Sequence, residues 1–257
     1  MYTLCGKDRI HPSTDGHLVM AYLFLKAQGL AGKPVADIRI DGAGKKVTRS
    51  DNCRVSDLSV SSDNLTFTYE AKSLPYPIDT SYYDNEKHTQ ADALSVIPFM
   101  DEMNYEGLSV SGLSDGYYGL TIGGEFIGRF TARELERGIN MALLQNTPQY
   151  KQAMKIRQMN EERWLKERKM REFYWVEYNL MRKTGMLWAC NEAAVDTLRK
   201  YRPHDIFLQW NGDLWLQYMH KGIREDCVNE QQDLVNQIYE QNKPIPLRIE
   251  IKKFTDL

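Results

Sequence analysis

The sequence predicts an α+β protein: an apolar helix first, a small antiparallel β-sandwich next, and a mainly helical region with a terminal strand last. Three observations predict it. Residues 13–28 are a dense apolar run with helix-end signals on both sides. From Lys33 to about Phe130 the hydrophobic period is two, broken by short turn sequences. From Thr131 onward, capping signals and long stretches dense in both charges return the period to that of a helix. The corresponding division is 1–32, 33–131 and 132–257.

The first helix has Ser13 or Thr14 as its N-cap, Asp15 near the positive end of the dipole, and Gly29 as its stop. Leu18, Val19, Met20, Tyr22, Leu23, Phe24 and Leu25 leave it almost no polar face, so it needs cover on most sides. A second copy of the chain, or a partner chain, would supply that cover.

In the second stretch, Val35–Asp41 alternates, and Asp41-Gly42-Ala43-Gly44 is a turn. It is not a phosphate loop, because the Ser/Thr and the following helix are missing. Strands follow at 46–48, 55–60 and 65–69, the last two joined by a turn at Ser61–Asn64. A long loop is expected over Asp79–Asp92, with a helical turn near Gln90. Ser95–Phe99 reads as an edge strand because of Pro98. Strands at 108–110, 117–122 and 126–130 complete the set. Gly112-Leu113-Ser114-Asp115-Gly116 fits the G-x-S-x-G nucleophile elbow, but a strand-like run follows where that chemistry needs a helix. It reads as a hairpin turn.

In the third stretch, Thr131-x-x-Glu134 has capping-box spacing. Pro148 opens a long helix that extends toward Lys183, with Glu162/Lys166 and Glu167/Arg171 spaced as i,i+4 pairs. Its charge run, 161–172, reads as a solvated face. Helices at 187–201 and 226–241 follow, and 203–220 reads as core. The alternating run 246–252 is a terminal strand that returns to the β region.

Composition narrows the function. The net charge of −2 in 257 residues points away from nucleic acid. No apolar run is long enough to span a bilayer, and the N-terminal residues, without a basic region followed by a long apolar core, do not read as a signal peptide. Cys5, Cys53, Cys190 and Cys227 are scattered without a C-x-x-C pair, so no metal site and no cofactor are expected; isolated thiols are the plain reading. Abundant Tyr and Trp suit a carbohydrate-handling protein and equally any aromatic-rich core.

The stretch with chemical content is Gly6-Lys7-Asp8-Arg9-Ile10-His11-Pro12-Ser13. An Asp three residues before a His can accept the Nδ1 proton, which sets the tautomer and leaves Nε2 as a general base. A loop pair that merely precedes and caps a helix has the same spacing. Together with Gly16-His17-Leu18 and Val19-Met20-Ala21, the stretch resembles the last motif of the SGNH (GDSL-type) ester hydrolases. There an Asp and a His three apart sit before the C-terminal helix of a flavodoxin-like α/β domain, and a Ser near that domain's N-terminus completes a triad. The resemblance implies that His11 is the base, Asp8 its orienting partner and His17 structural. It also implies a small ester or acetylated-carbohydrate substrate and a periplasmic or extracellular setting. The family's Gly-Asp-Ser, its oxyanion Gly and its Gly-x-Asn-Asp are absent, and Gly212-Asp213 is followed by Leu214. The chain is therefore expected to be the C-terminal portion of such an enzyme, inactive alone. The alternative is a non-catalytic accessory module that binds glycan or a partner, with Trp210 and Trp215 as its aromatic platform.

Overall fold

The computed structural model describes residues 3–6, 8–81 and 88–254. Lys7 of the Asp8–His11 stretch and residues 82–87 of the expected loop lie outside the described residues. The chain parts into two compact units: residues 1–155 with 242–257, and residues 156–241. The class is α+β, with an N-terminal helix, β-sheets, and then a mainly helical C-terminal part.

In the first unit, α1 (Thr14–Ala27) leads to β1 (Ala36–Asp41), β2 (Lys46–Asp51), β3 (Cys53–Val60) and β4 (Asn64–Ala71). A 3-10 turn (Gln90–Ser95) and the short α2 (Phe99–Glu102) come next. Then come β5 (Glu106–Ser111), β6 (Tyr117–Ile122), β7 (Glu125–Thr131), α3 (Ala132–Arg137) and β8 (Ile139–Asn140). Helix α4 (Pro148–Val176) begins in this unit and passes the division at Lys155. The last strand, β9 (Leu247–Lys253), also belongs to this unit.

The strands make two sheets, ordered β2-β1-β5-β8 and β3-β4-β9-β6-β7. Ile38, Leu108 and Val110 from one sheet and Phe67, Leu120, Ile122, Ile249 and Ile251 from the other form a single apolar cluster with essentially no exposure. Burying each such side chain is worth about 1.5–3 kcal/mol. The strand β9 lies between β4 and β6, pairing Phe67 with Ile249 and Leu120 with Ile251. A strand at the far end of the chain thus fills the middle of the second sheet.

Three sequence expectations need correction here. The sandwich is not wholly antiparallel: β1 and β5 pair in parallel, Ile38 opposite Leu108. Parallel neighbours need a long intervening connection, and the chain supplies one by building three strands and two helical turns between them. The stretch 95–99 is not an edge strand. Thr89 and Asp92 form a capping box that winds Gln90–Ser95 into a turn, and Pro98 is the N-cap of α2. Residues 112–116 are not a hairpin turn either. They carry the chain from one sheet to the other, because β5 and β6 belong to different sheets.

The turns at 42–45, 61–63 and 123–124 do join adjacent antiparallel strands as expected. In the last, Gly123 and Gly124 have φ of 59° and 86°. Positive φ at both central positions is the geometry that matches strand twist, and glycine reaches it without strain.

In the second unit, the remainder of α4 runs into one π-helical turn (Glu177–Met181). It is followed by α5 (Glu192–Tyr201), α6 (Ile206–Tyr218) and α7 (Lys221–Gln241). Helix α5 starts later than its sequence pattern suggests. Asn191 accepts the Ala194 amide at 3.0 Å as N-cap, and Trp188 just before it adopts φ 63°. Phe173, Val176, Met181, Leu198, Leu208 and Trp215 are the core of this unit.

Candidate functional site

The Asp8–His11 stretch is a closed loop. Cys5 and Pro12 form an isolated antiparallel bridge, the Gly6 amide donates to the His11 carbonyl at 2.9 Å, and the Ser13 amide donates to the Leu4 carbonyl at 3.2 Å. Gly16 explains how the incoming chain lies so near the first turn of α1. A Cβ on it would sit 1.9 Å from the Leu4 carbonyl oxygen, so only glycine admits that approach.

Within the loop, Asp8 Oδ1 accepts the backbone amides of Ile10 (3.0 Å) and His11 (3.1 Å). Its Oδ2 lies 2.5 Å from His11 Nδ1. The His11 hydrogen bond, and then the two amides, hold the Asp8 carboxyl down at about 2. Asp8 is therefore ionised at any ordinary pH and can only accept. The proton between them belongs to His11 Nδ1, so the neutral ring has Nε2 as its free acceptor. The His11 side chain is 83% exposed, and Nε2 is open to a reacting group. Among the described residues of this loop, Arg9 is a non-glycine at φ 59°.

The structure thus brings together the two residues that the sequence singled out. His17 is exposed, one turn along α1. Asp15 is fully buried: Oδ1 accepts the Gly16 amide at 2.9 Å and the Ser13 hydroxyl, while Oδ2 has no partner among the described residues.

Helix α1 is covered on one side only. Leu18, Val19 and Tyr22 pack with Ile78, Ala93, Ile97, Phe99, Met100 and Ala142. Lys26 bridges to Glu102 at 2.7 Å, and the Tyr22 hydroxyl donates to the same carboxylate. Met20, Leu23 and Phe24 remain exposed, Phe24 at 64%. The Ser95–Phe99 region, expected to be a strand, is what supplies the partial cover.

The other candidates separate clearly. Ser114 is no activated nucleophile. Its hydroxyl lies 3.1 Å from the Tyr118 hydroxyl and accepts from Lys253 at 2.8 Å, and no histidine partners it. Trp215 cannot be a platform, because it has no exposure and its indole N–H donates to Glu177 at 2.8 Å. Trp210 is 66% exposed. The four cysteines are free; Cys53 and Cys227 are buried, and Cys190 is exposed. Among the described residues no three His, Cys, Asp or Glu side chains are grouped to hold a metal ion. Nor, among them, is any helix long and apolar enough to cross a membrane.

Two features escaped the sequence reading. One is Glu106, fully buried between the sheets, where burial pushes its carboxyl up to about 7. The other is an open cleft beside the middle of α4, between Trp164 and Trp175. Its signal was present in the spacing 164, 168, 171, 175, which puts two indoles and two guanidinium groups on one helix face. The density of charges there concealed it.

With this geometry in hand, comparison with known proteins gives a class and then a particular relative. Residues 154–243 match the family described as the diltiazem deacetylase C-terminal helical domain. Among solved structures, the chain is similar to "BT4096 a gut microbial diltiazem-metabolizing enzyme", with 41% identity and a TM-score of 0.92. That similarity covers 98% of this chain and 57% of the other. The chain is thus a homologue of part of that enzyme. No curated protein sequence matches it.

Proposed function

We propose that this chain is the C-terminal portion of an SGNH-type serine ester hydrolase acting on acetyl esters. Residues 1–32 form the end of its catalytic domain. The observation that carries this reading is the Asp8–His11 pair, with Nδ1 committed to the carboxylate and Nε2 exposed. His11 Nε2 takes the proton of a Ser hydroxyl contributed by a segment outside this chain. The freed oxygen attacks the acetyl carbonyl, and Asp8 stabilises the imidazolium that results. The same imidazolium returns the proton to the departing alkoxide. A water activated by His11 then releases acetate from the acyl-Ser. The exposed Met20, Leu23 and Phe24 support the same reading, as a face ready to pack on the rest of the catalytic domain. The deacetylase in the matching family's description supports acetyl as the acyl group.

The test has two parts. The 257-residue chain alone should not hydrolyse 4-nitrophenyl acetate above the buffer rate. The coding DNA ahead of Met1 should carry an in-frame Gly-Asp-Ser, and the longer product should hydrolyse the ester and lose that activity with His11→Ala. A longer product that keeps full activity with His11→Ala would overturn the assignment. Hydrolysis by the short chain, abolished by His11→Ala, would place the nucleophile on a Ser within it. The alternative, a non-catalytic module that binds glycan or a partner, is favoured by the open aromatic cleft of the helical unit.

A further inference from the structure

We infer that the cleft on α4 is a binding site for a neutral sugar ring. It holds about 320 Å³ and is lined by Trp164, Arg168, Arg171, Glu172 and Trp175 of α4 and Asn211 of α6. Pockets for small ligands begin at roughly 300 Å³, so the space suits one hexopyranose with its neighbours in solvent.

The lining decides the ligand. All six side chains are either indoles or planar polar groups, and none is aliphatic. Such a set is poorly matched to an apolar peptide anchor. An indole face carries negative charge density, which attracts the polarised C–H face of a pyranose much as it attracts a cation. Trp164 is 45% exposed and Trp175 is half-buried, and Trp175 is backed by Phe207 at 5.2 Å between ring centroids. The platform is thus held in place while its surface stays in water.

The polar groups are oriented in advance. Arg168 donates through Nε to Glu172 at 2.7 Å, and Arg171 forms an ion pair with Glu167, Nε to carboxylate oxygen 2.9 Å. Those pairings orient each guanidinium, and its two terminal nitrogens make no hydrogen bond among the described residues. The half-buried Asn211 amide makes no hydrogen bond within the described chain either. Paired N–H groups of this kind match vicinal hydroxyls, as they match any two acceptors at fixed separation. Arg168 is paired with Glu172 in the lining and Arg171 with Glu167 beside it, so each guanidinium charge is already offset by a carboxylate. Arg171 also lies over the Trp164 ring, 5.7 Å from its centroid, which joins the polar and aromatic halves.

Calorimetric titration of the full chain with the methyl glycosides of glucose, galactose and mannose, their trisaccharides, and methyl glucuronide tests this. Saturable binding of a neutral sugar is expected, weakened about tenfold by Trp164→Ala or Trp175→Ala, the loss that one stacked aromatic supplies. Tyr239→Ala removes an exposed aromatic elsewhere on the unit and should leave affinity unchanged. If Trp175→Ala unfolds the unit by circular dichroism, Arg168→Gln and Asn211→Ala should still weaken binding. No saturable heat with any neutral sugar, tighter binding of the glucuronide, or indifference to the Trp164, Arg168 and Asn211 variants would overturn the inference. His11→Ala should leave the affinity intact, so this site stands or falls apart from the ester-hydrolase reading.

Discussion

Each of the two compact units buries a glutamate, and the two are treated differently. In the helical unit, Glu177 accepts the Trp215 indole N–H on one oxygen and the Trp188 amide on the other, both at 2.8 Å. In the β unit, Glu106 receives the Tyr69 hydroxyl (2.8 Å) and the Gln149 amide (3.2 Å) on the same oxygen, and its Oε2 has no hydrogen-bond partner among the described residues. Burial then dominates, and Glu106 is pushed up to about 7. The contrast lies in how two donors are distributed: one to each oxygen of Glu177, both to one oxygen of Glu106.

Removing the satisfied carboxylate should have the largest effect. Glu177→Leu would strand the buried Trp215 indole N–H, at a cost of about 1–3 kcal/mol, and the part-buried Trp188 amide, at less. Urea unfolding should show the loss, with Glu177→Gln recovering part of it. Equal stability of Glu177→Leu and the wild type would mean that water reaches those donors.

The half-satisfied carboxylate sharpens the comparison through pH. Its folded pKa of about 7 lies above the ordinary 4.5, so its stabilising contribution is full below 4.5 and is lost as pH rises through 7. For a fully buried group the loss is on the order of 3 kcal/mol. Melting temperatures measured across pH 4.5–8 should fall for the wild type more than for Glu106→Gln. Parallel curves would show that Glu106 is not desolvated.

The smallest stability effect is expected at the exposed carboxylate. Asp8 moves opposite to Glu106 because hydrogen bonds outweigh desolvation at the surface. Asp8→Asn should leave the melting temperature unchanged, yet shift neutral His11 from the Nδ1–H toward the Nε2–H tautomer by nitrogen NMR. An unaltered tautomer ratio would break the pairing on which the proposed function rests.

Much of this was legible in the chain itself. Thr131-x-x-Glu134 closes as a capping box, with the Thr131 hydroxyl and the Glu134 carboxylate each serving the other's amide. The 167/171 pair forms on α4. Asp8 and His11 meet because three residues of loop leave them little choice. These are local interactions, set within a turn or two of backbone, and residue type at short spacing decides them.

Other features were decided at long range. Whether 95–99 joins a sheet depended on what α1 needed as cover. That β5 lies parallel to β1, and that β9 enters the middle of a sheet, follow from which strands exclude most water when both sheets close on one core. Trp210 and Trp215 look alike in sequence. One is exposed and one fully buried, because α6 turns only one of them toward Glu177. Residue identities therefore determined the capped ends, the turns and the Asp8–His11 contact. Tertiary packing alone chose the sheet order, the burial of Glu106 and the face that carries the cleft, because burial is shared among segments that no local window contains.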